Sequence, residues 1–277
     1  MRRPTEWIYY IAGTLCLVFS IFLLFQSSLS PLNLTNRIIY DRNDRSDRSY
    51  REYYQSDLPL HRNNLRQAAV YIPIYSITEI DDISQFIKAF DMEDAQISER
   101  EEYFQIQDGK RTLRIYKFLD LLEFEQRPIA PENEPICDSE AKDIARAFAE
   151  KHLFLLGAHE IEIGREENKI HLTIIETLGK IPNKAFPTQI VLDNYGNIRT
   201  VSHFYFEYEE LGRGDIMTAQ AAMSSLPRAH SGQARITHYE LAYIFSESIL
   251  QPTYIFHGNY PDGRPFAHHV SAVKYYH

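Results

Sequence analysis

The sequence predicts an α+β protein in which one N-terminal transmembrane helix is followed by antiparallel sheets with packed helices. Residues 7–25 contain no charged side chain. Downstream, short segments with alternating apolar and polar residues recur between turn dipeptides, and stretches with helical apolar spacing precede them. A hydrophobic content of 44% over 277 residues is typical of a folded chain.

The segment at residues 7–25 has the length of a transmembrane anchor. Its most polar side chains are Thr14 and Ser20, and a helix of this length spans roughly 28 Å, close to the thickness of a hydrocarbon core. A cleavable signal peptide is the alternative. It requires a shorter apolar stretch and a small-x-small cleavage site, and residues 26–30 match such a site poorly. The sequence therefore favours a retained anchor.

The charges beside the anchor predict its orientation. Arg2 and Arg3 precede it and favour a cytoplasmic N-terminus, residues 1–6, with the C-terminal domain extracytoplasmic. Three arginines that follow the anchor weaken this asymmetry: Arg37, Arg42 and Arg45. We expect a single-pass protein of the cell membrane.

One face of the anchor carries small side chains. Gly13, Cys16 and Ser20 follow i, i+3, i+7 spacing, which would let a partner helix approach closely. Small residues in such a segment also occur by chance. These three residues are the candidate partner-helix contact.

The negative charge is concentrated in the C-terminal domain. The net charge is −9 for the whole chain, +1 for residues 1–6, zero for residues 7–25 and +2 for residues 26–66. Residues 67–277 therefore have a net charge of −12. An acidic domain repels phosphate-rich polymers, so we expect no nucleic-acid partner and a surface that binds protein.

The two cysteines predict a domain without a disulfide. Cys16 lies inside the anchor and Cys137 in the domain, so the two cannot bridge. The pattern also excludes zinc-finger and thiol-redox sites.

Residues 26–66 form a charged segment in which Asp and Arg alternate, most densely between Asp41 and Arg51. A solvated stalk or a charged helix is the simplest interpretation. A partner-binding segment is the alternative, because it contains four tyrosines: Tyr40, Tyr50, Tyr53 and Tyr54.

From residue 67 to 277 a helix followed by strands recurs three times, in modules at about 67–127, 136–211 and 215–277. The first helix begins at Thr78 with Asp81 three residues on, and its apolar face is Ile80, Ile83, Ile87 and Phe90. Strands at 103–107 and 112–117 follow it, joined by a turn at Asp108-Gly109.

The second helix begins near Asp138, with Ala141, Ile144, Ala145 and Phe148 on one face. Four strands follow: one on each side of a turn at Glu167-Asn168, then 188–192 and 198–206. The third helix is short and precedes strands at 239–245, 251–257 and 266–273. Its apolar residues are Ala219, Ala222, Met223 and Leu226.

Residue spacing predicts no enzyme, metal site or cofactor. His159-Glu160 lacks the second His of a metalloprotease motif, and His268 and His269 would face opposite sides of a strand. Asp81-Asp82 suit the first turn of a helix. Glu207, Glu209 and Glu210 are interpreted as the solvent side of a strand end or, alternatively, as a contact patch for a basic partner.

The layout resembles that of the YycH/YycI-type regulatory proteins of Gram-positive bacteria. The resemblance rests on the anchor, on the αββ order, and on the closing segments 239–243, 248–254, 262–266 and 270–273. The Asp/Arg segment at 41–51 departs from the family pattern. The αββ unit also resembles the PepSY type of inhibitory module.

The resemblance implies a non-catalytic, membrane-anchored modulator of the sensor histidine kinase of a two-component system for cell-wall metabolism. Residues 7–25 would then contact the kinase, and the domain would sense a signal or pair with a sister YycH-type protein. An extracytoplasmic binding or inhibitory module that acts on a protease or on envelope assembly is the alternative. The third functional interpretation is an envelope hydrolase, which would need a nucleophile or clustered acids in a cleft.

Overall fold

The computed structural model describes residues 54–56, 65–74, 83–128, 134–153, 155, 160–205, 207–227 and 233–276. The anchor at 7–25 lies outside these residues. Within the described ranges no helix is both long and apolar enough to span a membrane.

The chain forms two compact units. Of the described residues, those between 65 and 222, 241 and 254, and 271 and 276 belong to the larger unit, and those at 54–56, between 223 and 240, and between 255 and 270 belong to the smaller unit. Two long strands contribute residues to both units, β14 (Ala234–Ser246) and β15 (Ile249–Asn259).

The larger unit contains an eight-stranded sheet with two halves. Each half has the same element order, a helix followed by four strands of the sheet. The first half is helix α1 (Ser84–Ala89) and strands β3 (Gln96–Glu99), β4 (Tyr103–Gln107), β5 (Arg111–Tyr116) and β6 (Leu121–Gln126). The second half is helix α2 (Asp138–His152) and strands β7 (Glu160–Glu166), β8 (Lys169–Ile175), β11 (Thr188–Asp193) and β12 (Ile198–Phe204). A short pair, β9 (Thr177–Leu178) and β10 (Ile181–Pro182), intervenes.

The two halves join through their last strands. The sheet order is β3-β4-β5-β6-β12-β11-β8-β7, and β6 pairs antiparallel with β12, with Phe124 opposite Val201. Each half is thus a helix and a four-stranded meander that continues into the other half at the centre of the sheet.

Apolar periodicity places the helices on this sheet. In α2, Ala141, Ala145 and Ala149 are buried at four-residue intervals, so one stripe of small side chains lies close to the core. Glu140 accepts a hydrogen bond from the Cys137 backbone N–H at 2.8 Å and thereby caps the start of the helix. The strands contribute alternate buried residues to the same core.

A second sheet has seven strands. Besides β14 and β15 these are β1 (Tyr54–Ser56), β2 (Gln67–Ile74), β13 (Glu207–Ile216), β16 (Pro265–Ser271) and β17 (Val273–Tyr276). Their order is β1-β14-β15-β2-β13-β17, with β16 beside β15. A short helix, α3 (Ala219–Ser224), follows β13. The pairing of β1 with β14 is parallel, whereas β2 and β13 pair antiparallel.

The predicted α+β class is confirmed, and the eight-stranded sheet is antiparallel as expected, whereas the seven-stranded sheet includes the parallel pair β1–β14. The second and third helices and the strands at 103–107, 112–117, 188–192 and 251–257 lie where the sequence predicted them. For the first helix, Ile83, Ile87 and Phe90 are buried together as expected, while Thr78, Ile80 and Asp81 lie outside the described residues.

Three differences from the prediction concern strands. The strand expected at 198–206 ends at Phe204, and Glu207 begins the separate strand β13 rather than ending a strand. Strands β2, β3 and β6 lack a predicted counterpart. Strand β3 is mostly exposed and gives little apolar alternation, and β2 pairs with segments distant in sequence, β13 and β15. Within the segment predicted as a stalk, Tyr54–Ser56 form β1, and the Tyr54 side chain is buried.

Candidate functional site

The ends of α1 and α2 enclose a cavity of about 350 Å³ in the larger unit, here called the α1–α2 groove. The residues that line it follow the end of α1 or lie in α2, in β5 and β6, in the β11–β12 turn and at the start of β12. They are Phe90, Asp91, Arg111, Phe124, Gln126, Phe148, Lys151, His152, Gly196, Asn197 and Ile198. The groove lies at the junction of the two halves of the sheet, where β6 meets β12.

An aromatic cluster forms the apolar part of the groove. The rings of Phe90 and Phe124 lie 5.1 Å apart between centroids, and Phe90 and Phe148 lie 5.8 Å apart with nearly perpendicular planes. His152 packs against Phe148 at 4.5 Å. Tilted and edge-to-face rings at these distances attract one another.

Arg111 joins the end of α1 to the β4–β5 turn. Its Nη1 donates to the carbonyl oxygen of Phe90 and its Nη2 to that of Asp91, each at 3.0 Å. Its Nε donates to Asp108 Oδ2 at 2.6 Å. The guanidinium thus satisfies carbonyls that a helix end leaves without intrahelical partners.

Asp91 carries the negative charge at the mouth of the groove. Its backbone is in the left-handed region, with φ of 52°, which ends α1 and directs the chain toward β3. Its Oδ2 lies 3.0 Å from Lys151 Nζ. The hydrogen bond and charge of Lys151 lower the pKa of Asp91, so the carboxylate stays ionised at neutral pH.

Asp108 is the second carboxylate near the groove. Burial alone would raise its pKa, but backbone N–H groups of Arg111 and Lys110 and the Arg111 guanidinium lower it overall. The Asp108 and Arg111 charges are therefore both present and paired.

His152 lines the groove as a neutral ring. Its Nδ1 contacts the carbonyl oxygen of Ala89, and because a carbonyl only accepts, Nδ1 carries the proton and Nε2 is left as an acceptor. Burial lowers the pKa of His152, an effect larger than the opposing influence of the Ala89 carbonyl.

Together these groups can bind a ligand that is partly apolar and partly polar. The groove offers an aromatic surface, paired charges at its mouth and an imidazole acceptor, and such a mixture is typical of recognition sites. The fold and the groove thus define a class: an α+β domain with a half-open groove between two similar halves.

The residues predicted from sequence lie elsewhere. Gly13, Cys16 and Ser20 are outside the described residues, so the partner-helix contact stays a prediction. His268 lies between the hydroxyl groups of Tyr54 and Tyr260, each 3.3 Å from its Nε2, and burial lowers its pKa to about 4. His269 faces the opposite side of β16, as expected from strand geometry.

Sequence reasoning missed the groove. Its charged residues come from α1, β5 and α2, which are 20 to 60 positions apart in sequence, and no local pattern joins them. Among the residues that the structure describes, no group of three or more His, Cys, Asp or Glu side chains could hold a metal ion.

No protein-family model and no curated protein matches the chain. Two solved structures are similar. The YpeB C-terminal domain of Bacillus megaterium is 13% identical, with 72% of this chain and 96% of that chain covered and a TM-score of 0.45. YycH from Bacillus subtilis is 14% identical, with 71% of this chain covered and a TM-score of 0.40. The match spans 52% of the YycH chain. At TM-scores below 0.5 these likenesses assign neither a family nor a function.

Proposed function

We propose that this protein is a non-catalytic, membrane-anchored regulator of the sensor histidine kinase in a two-component system that controls cell-wall metabolism. The observation that carries the proposal is the uncharged segment 7–25 ahead of an acidic domain. A domain anchored in this way acts by contact with proteins in the same membrane or at its surface. The resemblance of the closing strands to the YycH/YycI type supports the choice of partner.

In this proposal the anchor packs against transmembrane helices of the kinase. It shifts the balance between the kinase and phosphatase states because it binds one of them more tightly. The α1–α2 groove is the place where the extracytoplasmic domain would receive a signal or contact a partner such as a sister protein.

Replacing residues 7–25 with an unrelated transmembrane helix tests the proposal. Kinase copurification from membranes and control of the kinase should both be lost while the domain stays folded and anchored. Retention of both would contradict the proposal.

A finer test uses the small-residue face. Gly13→Leu with Ser20→Leu should abolish copurification with the kinase and leave insertion intact, because large side chains keep a partner helix at a distance. Thr14→Leu with Val18→Leu, on the opposite face, is the matched control and should have no effect.

The second candidate function is a PepSY-like binding or inhibitory module that acts on a protease or an envelope-assembly protein. It is favoured by the helix-and-meander unit that occurs twice in the larger unit. This function would survive the anchor replacement, so the same experiment separates the two candidates.

A further inference from the structure

Where the end of β2 meets the start of β13, the side opposite Tyr71 and Tyr208 presents a small exposed surface that is apolar and acidic. Tyr71 and Tyr208 pack together on the core side, with ring centroids 6.2 Å apart. Because side chains alternate along a strand, Ile72 and Ile74 lie on the other side. They are 36% and 39% exposed, which is unusual for isoleucines on a central strand.

The register of the two strands adds two carboxylates to the isoleucines. Glu209 is directly opposite Ile72, and Glu207 is directly opposite Ile74, and opposite residues share a face. Both glutamates are exposed, and neither forms an ion pair with another described residue. The result is a row of two isoleucines beside a row of two carboxylates, with roughly 7 Å between neighbours along each strand and roughly 5 Å across.

Leu211 follows these residues in β13. It is the extra residue at the irregularity between Glu210 and Gly212 and is 53% exposed. Glu210 differs from its neighbours, because its carboxylate pairs with Arg213 at 2.8 Å. The unpaired charge of this region is thus Glu207 and Glu209, and the four residues Ile72, Ile74, Glu207 and Glu209 are here called the β2–β13 face.

We infer that the β2–β13 face docks a basic amphipathic helix of a partner protein. Apolar residues at i and i+4 of a helix are separated by about 6 Å along its axis, close to the spacing of Ile72 and Ile74. Lys or Arg on the flank of such a helix would lie over Glu207 and Glu209. A second copy of this chain would place carboxylates against carboxylates, and an anionic lipid surface would be repelled for the same reason.

The inference does not depend on the kinase assignment, because a peptide titration tests the surface directly. The probe is a labelled synthetic helix of leucine and lysine with one apolar face, and fluorescence anisotropy follows its binding to the full chain in non-ionic detergent. The blank contains detergent micelles without protein. A peptide with glutamate in place of lysine serves as the charge control.

Glu207→Lys with Glu209→Lys should weaken binding by about tenfold or more, and Ile72→Ser with Ile74→Ser should weaken it similarly. The matched control is Glu101→Lys with Glu102→Lys, which makes the same change in net charge at two exposed residues elsewhere in the larger unit. It should change binding by less than about twofold. Circular dichroism confirms that each variant is folded.

Several outcomes would overturn the inference. Equal weakening by both charge variants would show attraction to net charge alone, and an unchanged affinity of the isoleucine variant would show that no apolar docking occurs. Tight binding of the glutamate peptide would also contradict it. Sedimentation that shows a dimer of the full chain, lost in the Glu207 and Glu209 variant, would assign the face to a second copy instead.

Discussion

The Nδ1 atom of His203 lies 2.8 Å from the hydroxyl oxygen of Thr188, and both side chains are buried. Burial lowers the pKa of His203 to about 4, below the value of about 6.5 for an unfolded chain. The fold therefore favours the neutral ring. Its contribution to stability is complete above about pH 6.5 and is lost as the pH falls toward 4.

We expect His203→Asn to flatten the acid dependence of stability. Between pH 7 and pH 5 the wild-type free energy of unfolding should fall by about 2 kcal/mol through this group alone, because the unfolded chain binds a proton that the folded chain does not. Urea unfolding of the two proteins at both pH values measures the difference. His238→Asn, at an exposed position, is the control. If the free energy of unfolding of His203→Asn falls between pH 7 and pH 5 as much as that of the wild type, His203 is not the group responsible.

Arg111→Ala should lower the free energy of unfolding by roughly 1–3 kcal/mol, since two carbonyls at the end of α1 lose charge-assisted hydrogen bonds. Lys110→Ala, next in sequence and exposed, should change stability by less than about 0.5 kcal/mol. Urea unfolding followed by circular dichroism compares them. Equal effects would show that Arg111 does not stabilise the groove.

Gly258→Ala should be strongly destabilising. A Cβ atom at Gly258 would lie 2.2 Å from the Arg235 carbonyl oxygen and 2.5 Å from the Phe266 ring, so the smaller unit would have to shift, at a cost of about 3 kcal/mol or more. Gly164→Ala, also in a strand, has no atom within 4 Å of its Cβ position and should be close to neutral. Thermal unfolding compares the melting temperatures of the two variants. Similar melting temperatures would refute the close contact at Gly258.

Tyr54→Ala should destabilise the smaller unit by about 3 kcal/mol or more, since a buried ring is removed from contact with Phe266. Tyr54→Phe should cost about 1 kcal/mol through the lost hydrogen bond to the Pro227 carbonyl at 2.6 Å. Gln55→Ala, at the neighbouring exposed position, is the control. Cleavage by a protease within residues 233–240 and 255–270 measures the loss of stability, and an unchanged cleavage rate in Tyr54→Ala would show that Tyr54 does not stabilise this unit.

Much of the secondary structure followed from local signals. The 3.6-residue spacing of Ala141 and Ala145 predicted α2, and the Asp108-Gly109 turn predicted the β4–β5 hairpin. Strand β2 had no such signal, because its alternation is interrupted by Pro73 and by successive buried alanines. Tyr54 lies in a segment whose many charged residues predict solvation, and a single aromatic side chain does not change that local prediction.

The sequence by itself determined the α+β class, the helix faces, most hairpins and the expectation of a membrane anchor, because each depends on the period and charge of contiguous residues. Only the tertiary structure decided that β6 joins β12, that Asp91 meets Lys151, and that Ile72 stands beside Glu209. Those relationships depend on strand order and register between segments far apart in the chain, which no local pattern encodes.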